Sequence, residues 1–307
     1  MPGGCDARES RWARTLRTTS MIGRGTRAHR KAPGAGLVSA APVRSLALER
    51  AGRRATAHQG DILHAFDVSE YGDKRVVSVI LARNEERTIA EAVLGAKRFV
   101  HDVVVMDGRS TDRTADVARE AGARVMADPG RGKGSAIRAS LDLVEADVLV
   151  FMDADGSHDP ADIPRLAGAV ARGDADLAVG SRFAGGSDEL SVNIGQLIRT
   201  IGNISMNIAI NKRWDTELTD TLNGFRAIRR DAGRIVAMQE DTHTIEQEMV
   251  MKMLRHRYRV INVAAHEYPR KFGESHIRIW REWPKFVWCV FRNLVPRDRP
   301  HGAARTA

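Results

Sequence analysis

The 307-residue chain is 43% apolar and carries a formal net charge of +9, with a sequence pI near 10.0. That apolar content is enough for the core of one large α/β domain or two small ones. Twelve Lys or Arg and three acidic residues within residues 1–54 account for the whole excess charge, so the remainder is formally neutral. A nucleic-acid-binding protein that uses this basic arm is therefore the less favoured interpretation, and we expect no nucleic-acid partner.

Residues 1–70 are rich in Arg, Gly and Ala, and we predict a mostly disordered basic tail there. The alternatives are a basic arm that touches anionic lipid and an over-long gene start with Met21 as the true initiator. The tail lacks the apolar stretch of a signal peptide. The sequence has no run of about 18 apolar residues, so we predict no membrane-spanning helix. Cys5 and Cys289 predict neither a disulfide framework nor a metal cluster. We expect a cytoplasmic protein.

Short apolar runs, polar turns and segments with helical spacing then alternate along the chain. The runs predict strands at residues 74–81, 102–106, 125–127, 148–152, 176–180 and 260–263. The periodic segments predict helices at residues 85–98, 135–144, 194–211 and 244–256, with another that ends at Gly122. Strand-turn-helix alternation predicts an α/β fold with a mostly parallel central sheet flanked by helices.

Two carboxylates one residue apart follow the fourth predicted strand. The apolar run 148–152 is typical of a strand buried on both faces, and Asp153 and Asp155 come directly after it. Ligands bind open α/β sheets at such strand ends, and residues two apart in a strand face the same way. Hard oxygen ligands suit Mg²⁺ or Mn²⁺, so we predict a metal site here. The alternative is a solvated acidic turn before Pro160.

A glycine-rich basic loop, residues 128–135, opens the next predicted helix and includes Gly132 and Lys133. Backbone N–H groups and cations at such a position favour a phosphate. The spacing is not that of a Walker loop, and an ordinary loop is the alternative. Proximity to the predicted metal favours the phosphate.

Seven sequence blocks in register resemble family 2 inverting glycosyltransferases with the GT-A fold. The resemblance is greatest to dolichyl-phosphate mannose synthase and bacterial polyprenyl-phosphate glycosyltransferases. It departs from the family at Gly108, where a second Asp is common, and at Ser157, where some synthases carry Gln. The blocks are residues 82–85, 107–114, 131–134, 153–160, 180–182, 223–226 and 270–275.

The resemblance implies that a hexose moves from a UDP- or GDP-sugar donor with the help of Mg²⁺ or Mn²⁺. Asp155 would be the principal metal ligand, and Asp153 would contact the metal or the ribose. The glycosyltransferase domain would span residues 71–295, with a nucleotide-sugar half at 71–180, an acceptor half at 181–295 and a tail at 296–307. The expected nucleotide-sugar contacts are Leu81, Asn84, Glu85, Asp107, Gly132, Lys133, Asp153 and Ala154. For Glu85 and Asp107, capping of the following helices is the alternative.

The first-choice acceptor is a polyprenyl or dolichyl phosphate, which is already anionic and needs cations rather than a base. The expected groups are Arg182, Arg226, Arg270, Lys271 and Ser275. The alternative acceptor is a hydroxyl of a glycerate derivative, a secondary metabolite or a polysaccharide, which needs Asp220 or Glu248 as base. The aromatic and basic segment 277–292 favours a membrane interface about as strongly as packing on the domain, so peripheral contact with the inner membrane face is also expected.

Overall fold

The computed structural model describes residues 66–187, 194–272 and 279–294. Within these ranges the chain forms a seven-stranded sheet with the order β3-β2-β1-β4-β6-β5-β7. The strands are β1 (Val76–Ala82), β2 (Asp102–Asp107), β3 (Arg124–Ala127), β4 (Val148–Asp153), β5 (Leu177–Ser181), β6 (Arg226–Arg229) and β7 (Val260–Ala264).

Helices cover both faces of this sheet, as the alternating pattern predicts. They are α1 (Ile89–Lys97), α2 (Thr114–Glu120), α3 (Lys133–Leu143), α4 (Ile163–Ala171), α5 (Arg182–Gly185), α6 (Ile194–Trp214), α7 (Arg230–Ile235), α8 (Ile245–Arg255) and α9 (Ile279–Leu294). Within the described ranges, no helix is both long and apolar enough to cross a membrane.

The predicted, mostly parallel sheet is confirmed. Strands β1, β2, β3 and β4 pair in parallel, as do β5 and β7, whereas β6 runs antiparallel to both of its neighbours. The register pairs Leu81 of β1 with Asp153 of β4, and Ala82 with Asp107 of β2. Successive strands leave β1 in opposite directions, which is the arrangement that opens a crevice at the strand ends. Asp107 and Asp153 therefore flank the end of β1.

Alternation along β4 decides which face of the sheet each side chain meets. Val148, Val150 and Met152 belong to one hydrophobic cluster, while Leu149 and Phe151 belong to the other, and all five are 2% exposed or less. The second cluster includes buried residues of α3 and α8. Because side chains alternate, Asp153 continues the row of Leu149 and Phe151 and faces the α3 and α8 side.

Two predicted boundaries are corrected by the structure. A short 3-10 helix, Val68–Tyr71, precedes β1, and Tyr71 is 4% exposed with its hydroxyl donating to the Phe99 carbonyl at 2.9 Å. The folded domain therefore starts before the predicted end of the tail at residue 70. Helix α1 begins at Ile89 rather than residue 85, because Asn84 adopts φ 56° and its side chain bonds the next loop instead of capping.

Candidate active site

The loops after β1 and β2 are joined by side-chain hydrogen bonds at the carboxyl edge of the sheet. Asn84 Oδ1 accepts from the backbone N–H of Thr111 at 2.8 Å, and the Asn84 N–H donates to Ser110 Oγ at 2.9 Å. Asp107 Oδ2 in turn accepts from the Ser110 N–H at 3.1 Å. Asn84 thus shapes the loop pair, and Asp107 is held at the end of β2.

Asp107 also carries an acceptor atom that is not used within the described residues. Its Oδ1 is buried and has no hydrogen-bond partner there. A buried carboxylate oxygen without a donor is costly, and such groups commonly belong to a binding site. Asp107 is therefore a candidate contact for an N–H or O–H donor of a ligand at this edge of the sheet.

Three charged groups meet beside the end of β4. Lys133 Nζ lies 2.8 Å from Asp153 Oδ1 and 2.8 Å from Glu246 Oε1. Burial opposes the charge of Asp153, but Lys133 outweighs it and lowers the pKa of Asp153 to about 2. Burial likewise opposes the charge of Lys133, yet the two carboxylates raise the pKa of Lys133 above its usual value. Lys133 and Asp153 therefore form a charged pair at neutral pH.

Gly224 leaves the space in which this cluster sits. A side-chain carbon at Gly224 would lie 2.8 Å from Lys133 Nζ, 3.0 Å from Asp153 Oδ2 and 3.1 Å from Glu246 Oε1. The loop before β6 thus approaches the cluster closely because residue 224 has no side chain.

Asp155 lies two residues beyond β4 and contacts a different cation. Its Oδ1 accepts from Ser157 Oγ at 2.6 Å, and its Oδ2 lies 3.3 Å from Arg270 Nη2. The other terminal nitrogen of Arg270 lies 2.7 Å from Glu85 Oε1. Arg270 therefore links the loop after β1 to the loop after β4.

A match to a protein-family model shows the family to which this chain belongs. The family described as Glycosyl transferase family 2 matches residues 78–234, just over half of the chain. The chain belongs to glycosyl transferase family 2. The predicted family is confirmed, and the matched residues include Asp107, Lys133, Asp153 and Asp155.

Several named proteins are similar to this chain over 61 to 66% of its length. Glycosyltransferase AglJ of Haloferax volcanii is 29% identical over 194 residues, 62% of each chain. Agl6, a low-salt glycan biosynthesis hexosyltransferase of the same organism, is 30% identical over 61% of this chain and 49% of its own. An undecaprenyl-phosphate mannosyltransferase of Micrococcus luteus is 32% identical over 66% of this chain and 86% of its own. The chain thus spans 62% of the length of AglJ and 49% of the length of Agl6.

Solved structures show the same fold. Glucosyl-3-phosphoglycerate synthase from Mycobacterium tuberculosis, in complex with Mn²⁺, UDP-glucose and phosphoglyceric acid, superposes with a TM-score of 0.60 at 19% identity. The superposition covers 75% of this chain and 83% of the synthase. The predicted GT-A fold is confirmed.

The residues of this family 2 domain fit a divalent ion with oxygen ligands. Asp155 already faces a cation, Arg270, and its side chain is 15% exposed. Both oxygens of Asp153 lie within 3.0 Å of Lys133 Nζ, and Asp153 is 32% exposed, so each of the two carboxylates is partly exposed and already faces a cation. No three His, Cys, Asp or Glu side chains gather into a cage in the described part of the chain. An ion on one or two carboxylates, completed by phosphate and water, is typical of Mg²⁺.

Asp220, expected as a base for a hydroxyl acceptor, makes the contacts of a structural counter-ion. Its side chain is fully buried and holds Arg182 with two contacts, 2.7 Å from Nε and 3.1 Å from Nη2. Burial opposes its charge, but the Arg182 guanidinium and hydrogen bonds, including one from Asn203, hold the pKa of the Asp220 carboxyl below its usual value. Arg182 remains 25% exposed. Asp220 is thus the counter-ion that orients Arg182.

Glu248, the other carboxylate expected as a base for a hydroxyl acceptor, is held by structural contacts. It is fully buried, and its Oε2 accepts the backbone N–H groups of Gln239 and Glu240 at 2.8 and 2.7 Å, while Oε1 pairs with Lys252. Residues two apart on a helix face different directions, so Glu248 and Glu246 diverge. Glu246, to which sequence reasoning assigned no role, is the carboxylate that contacts Lys133.

Arg226 is not exposed to an acceptor. Its side chain is fully buried, and its Nη1 donates to the Glu246 carbonyl at 2.8 Å while Nε donates to the Asn223 carbonyl at 3.1 Å. Burial lowers the pKa of Arg226. The guanidinium ties the loop that carries Gly224 to the start of α8, so Arg226 supports the cluster from behind.

The glycine-rich loop also differs from the prediction. Gly132 adopts φ 119°, and a side-chain carbon there would lie 2.6 Å from the Asp241 carbonyl. The Gly134 N–H, an expected phosphate donor, instead donates to the Asp241 carbonyl at 2.8 Å. The loop thus packs on residues 240–242, and Lys133 is the residue of this loop that reaches the site.

The remaining predicted residues are placed as follows. Leu81 is half-buried at the end of β1 and its carbonyl accepts from the N–H of buried Ala154 at 3.3 Å. Lys271 is exposed, its N–H donates to the Asp155 carbonyl at 3.1 Å, and its ammonium pairs with Glu91. Ser275 lies outside the described residues.

Proposed function

We propose that this protein is a metal-dependent inverting glycosyltransferase that moves a hexose from a UDP- or GDP-sugar to a polyprenyl phosphate. In this reaction an acceptor phosphate oxygen bonds to the anomeric carbon, and the bond from that carbon to the leaving nucleoside diphosphate breaks. The edge of the sheet at β1, β2 and β4 would bind the donor, and Arg182 and Arg270 would face the acceptor.

The donor side is supported by the charges at the strand ends. Asp107 Oδ1 is free to accept from the base or ribose, and Asp155 would hold Mg²⁺ or Mn²⁺ with Asp153 as second contact. When bound, the ion would offset negative charge on the departing diphosphate. Lys133 orients Asp153 and adds a fixed positive charge.

One observation carries the choice of acceptor. The two carboxylates proposed as bases, Asp220 and Glu248, are fully buried and each is bound to a cation. Arg182 and Arg270, in contrast, keep a quarter of their side chains exposed. An acceptor that is already an anion needs such cations and no proton removal. The likeness to an undecaprenyl-phosphate mannosyltransferase supports the same class of acceptor.

A hydroxyl acceptor is the second candidate, and Glu246 favours it. Its side chain is 8% exposed, and its carboxylate belongs to the cluster with Lys133 and Asp153, so it lies beside the proposed donor site. If Glu246 is the base, Glu246→Gln should lower transfer on the order of a thousandfold. That loss is well beyond the effect of losing only the positioning of Lys133.

The deciding experiment offers a panel of UDP- and GDP-hexoses with Mg²⁺ or Mn²⁺ to three acceptors and measures nucleotide release. The acceptors are a short polyprenyl phosphate, the matching polyprenol without phosphate, and phosphoglyceric acid. We expect release with the polyprenyl phosphate and none above hydrolysis with the polyprenol. Release with phosphoglyceric acid alone would replace the lipid-phosphate acceptor by the hydroxyl acceptor.

Contact with the membrane that carries such an acceptor is part of this proposal. Val287, Trp288 and Phe291 on α9 are 47 to 59% exposed, and the Trp288 and Phe291 rings lie 6.0 Å apart. Aromatic side chains on one face of a helix favour the interfacial region of a bilayer. We expect Trp288→Ser/Phe291→Ser to bind anionic vesicles more weakly than the unaltered protein in a flotation assay, and equal binding would exclude this face.

A further inference from the structure

A short segment after β7, residues 267–272, lies across the loop that carries the two predicted metal ligands; we call it the strap. The Tyr268 N–H donates to the Ser157 carbonyl at 2.8 Å, and the Lys271 N–H donates to the Asp155 carbonyl at 3.1 Å. Glu267 forms an isolated antiparallel bridge with His158. The strap is thus fixed to the loop 153–158 through its backbone.

The strap places Arg270 on the carboxylate that a divalent ion would use. Arg270 Nη2 lies 3.3 Å from Asp155 Oδ2, and Nη1 lies 2.7 Å from Glu85 Oε1. The guanidinium is 26% exposed and Asp155 is 15% exposed, so the pair is reachable from solvent. Two cations on one carboxylate repel each other, so an ion that binds Asp155 has to compete with Arg270.

The neighbouring strap residues are anchored elsewhere. The Lys271 ammonium pairs with Glu91, and the Arg87 guanidinium lies 3.8 Å from the centre of the Phe272 ring. These contacts hold the strap to the region of α1 without using Asp155 side-chain oxygens. Lys271 is therefore a matched control: it has the same charge, is next in sequence, and makes a separate ion pair.

We propose that Arg270 is a placeholder for the divalent ion at Asp155, and that ion binding releases its guanidinium to contact an anionic group of donor or acceptor. This inference rests on the proposed function for the presence of the ion. It implies an order in which the metal-bound donor enters first and the acceptor's cationic contact is completed afterwards. Glu85 stays within reach of the released guanidinium, so Arg270 remains near the site.

The test measures binding of Mn²⁺ alone, by electron paramagnetic resonance of the free ion, without nucleotide sugar or acceptor. A partly exposed ion pair is worth up to about 1 kcal/mol, so removing the competing cation should tighten Mn²⁺ binding by about fivefold. We expect this gain in both Arg270→Ala and Arg270→Gln, and a change within about twofold in Lys271→Ala. Thermal melts in chelator identify any variant that does not fold.

Two outcomes would overturn the placeholder. Unchanged or weaker Mn²⁺ binding in the two folded Arg270 variants would show that Arg270 does not compete with the ion. An equal gain in Lys271→Ala would show a general effect of surface charge. Sugar transfer plays no part in this measurement, so a failure here is distinct from a failure of the proposed reaction.

Discussion

The proposed donor half, residues 71–180, and the proposed acceptor half, residues 181–295, use their charged residues differently. In the donor half, Asp107 and Asp153 are the last residues of two parallel strands, Asp155 lies two residues beyond β4, and all three are partly exposed. In the acceptor half, the expected base residues Asp220 and Glu248 are fully buried and act as counter-ions.

The difference follows from what fixes each position. The end of a buried parallel strand is set by sheet geometry, so a carboxylate there faces the crevice whatever packs around it. A carboxylate in a turn or at the start of a helix faces wherever tertiary packing directs it. Substitution of the donor-half carboxylates should therefore reduce transfer without loss of stability, and substitution of Asp220 or Glu248 should do the reverse.

The largest effect is expected for Asp155→Asn in the donor half. Loss of the principal metal ligand should raise the activation free energy by about 4 kcal/mol, which lowers the rate of transfer on the order of a thousandfold. Because Asp155 is partly exposed rather than core, the melting temperature should stay close to that of the unaltered protein. Asp159→Asn is the control from the same loop, since Asp159 only caps a short 3-10 helix. Full transfer by Asp155→Asn with chelator present would remove the metal from the reaction.

The pair Glu248→Gln and Glu246→Gln tests the acceptor half. Glu248→Gln weakens two buried backbone hydrogen bonds and the Lys252 ion pair, so the free energy of unfolding should fall by about 3 kcal/mol. Transfer per folded molecule should stay within about twofold, because Glu248 does not face the site. Glu246→Gln should cost about 1 kcal/mol of stability yet lower transfer about tenfold, through loss of Lys133 positioning. Chemical denaturation and initial rates measure both, and the opposite ranking would restore Glu248 as a site residue.

Asp220→Asn should lower the free energy of unfolding by about 2 kcal/mol, since it leaves Arg182 with Glu267 as its remaining partner. The pKa of Asp220 is lowered in the folded state, so its stabilisation is fully present above the usual carboxyl pKa of 3.8. It is lost as pH falls through the lowered folded value. The stability gap between the two proteins, measured by denaturation across pH, should be constant from neutral pH to about 5 and narrow below about 4. A gap that changes between about pH 6 and 8 would indicate a titrating base instead.

The smallest effect lies at the start of the donor half. Tyr71→Phe removes the hydroxyl that donates to the Phe99 carbonyl and should lower the free energy of unfolding by about 1 kcal/mol. Transfer should not change, because Tyr71 lies outside the site. Unaltered stability in urea denaturation would show that the segment around residues 68–71 does not stabilise the fold, in line with the predicted tail at residues 1–70.

The first four strands can be predicted from the sequence because each is a mostly apolar run. The position of Asp153 and Asp155 at the end of β4 can be predicted for the same reason, since they directly follow such a run. The sequence does not predict β6, whose four residues have Arg at both ends and run antiparallel between two other strands. Nor does it distinguish Glu246 from Glu248. Residues 245–251 are buried all round the helix, so no polar face indicates which carboxylate meets the site.

The buried role of Glu248 has a consequence for the glycine-rich loop. Glu248 fixes the backbone of Gln239 and Glu240, and the next residue, Asp241, receives the Gly134 N–H at the start of α3. From α9, Arg292 Nη2 donates to Gln239 Oε1 at 2.6 Å. A relay of contacts thus runs from the last described helix, through one loop, to the residue that follows Lys133. We therefore expect substitutions of Arg292 on α9 to change the position of Lys133 in the site.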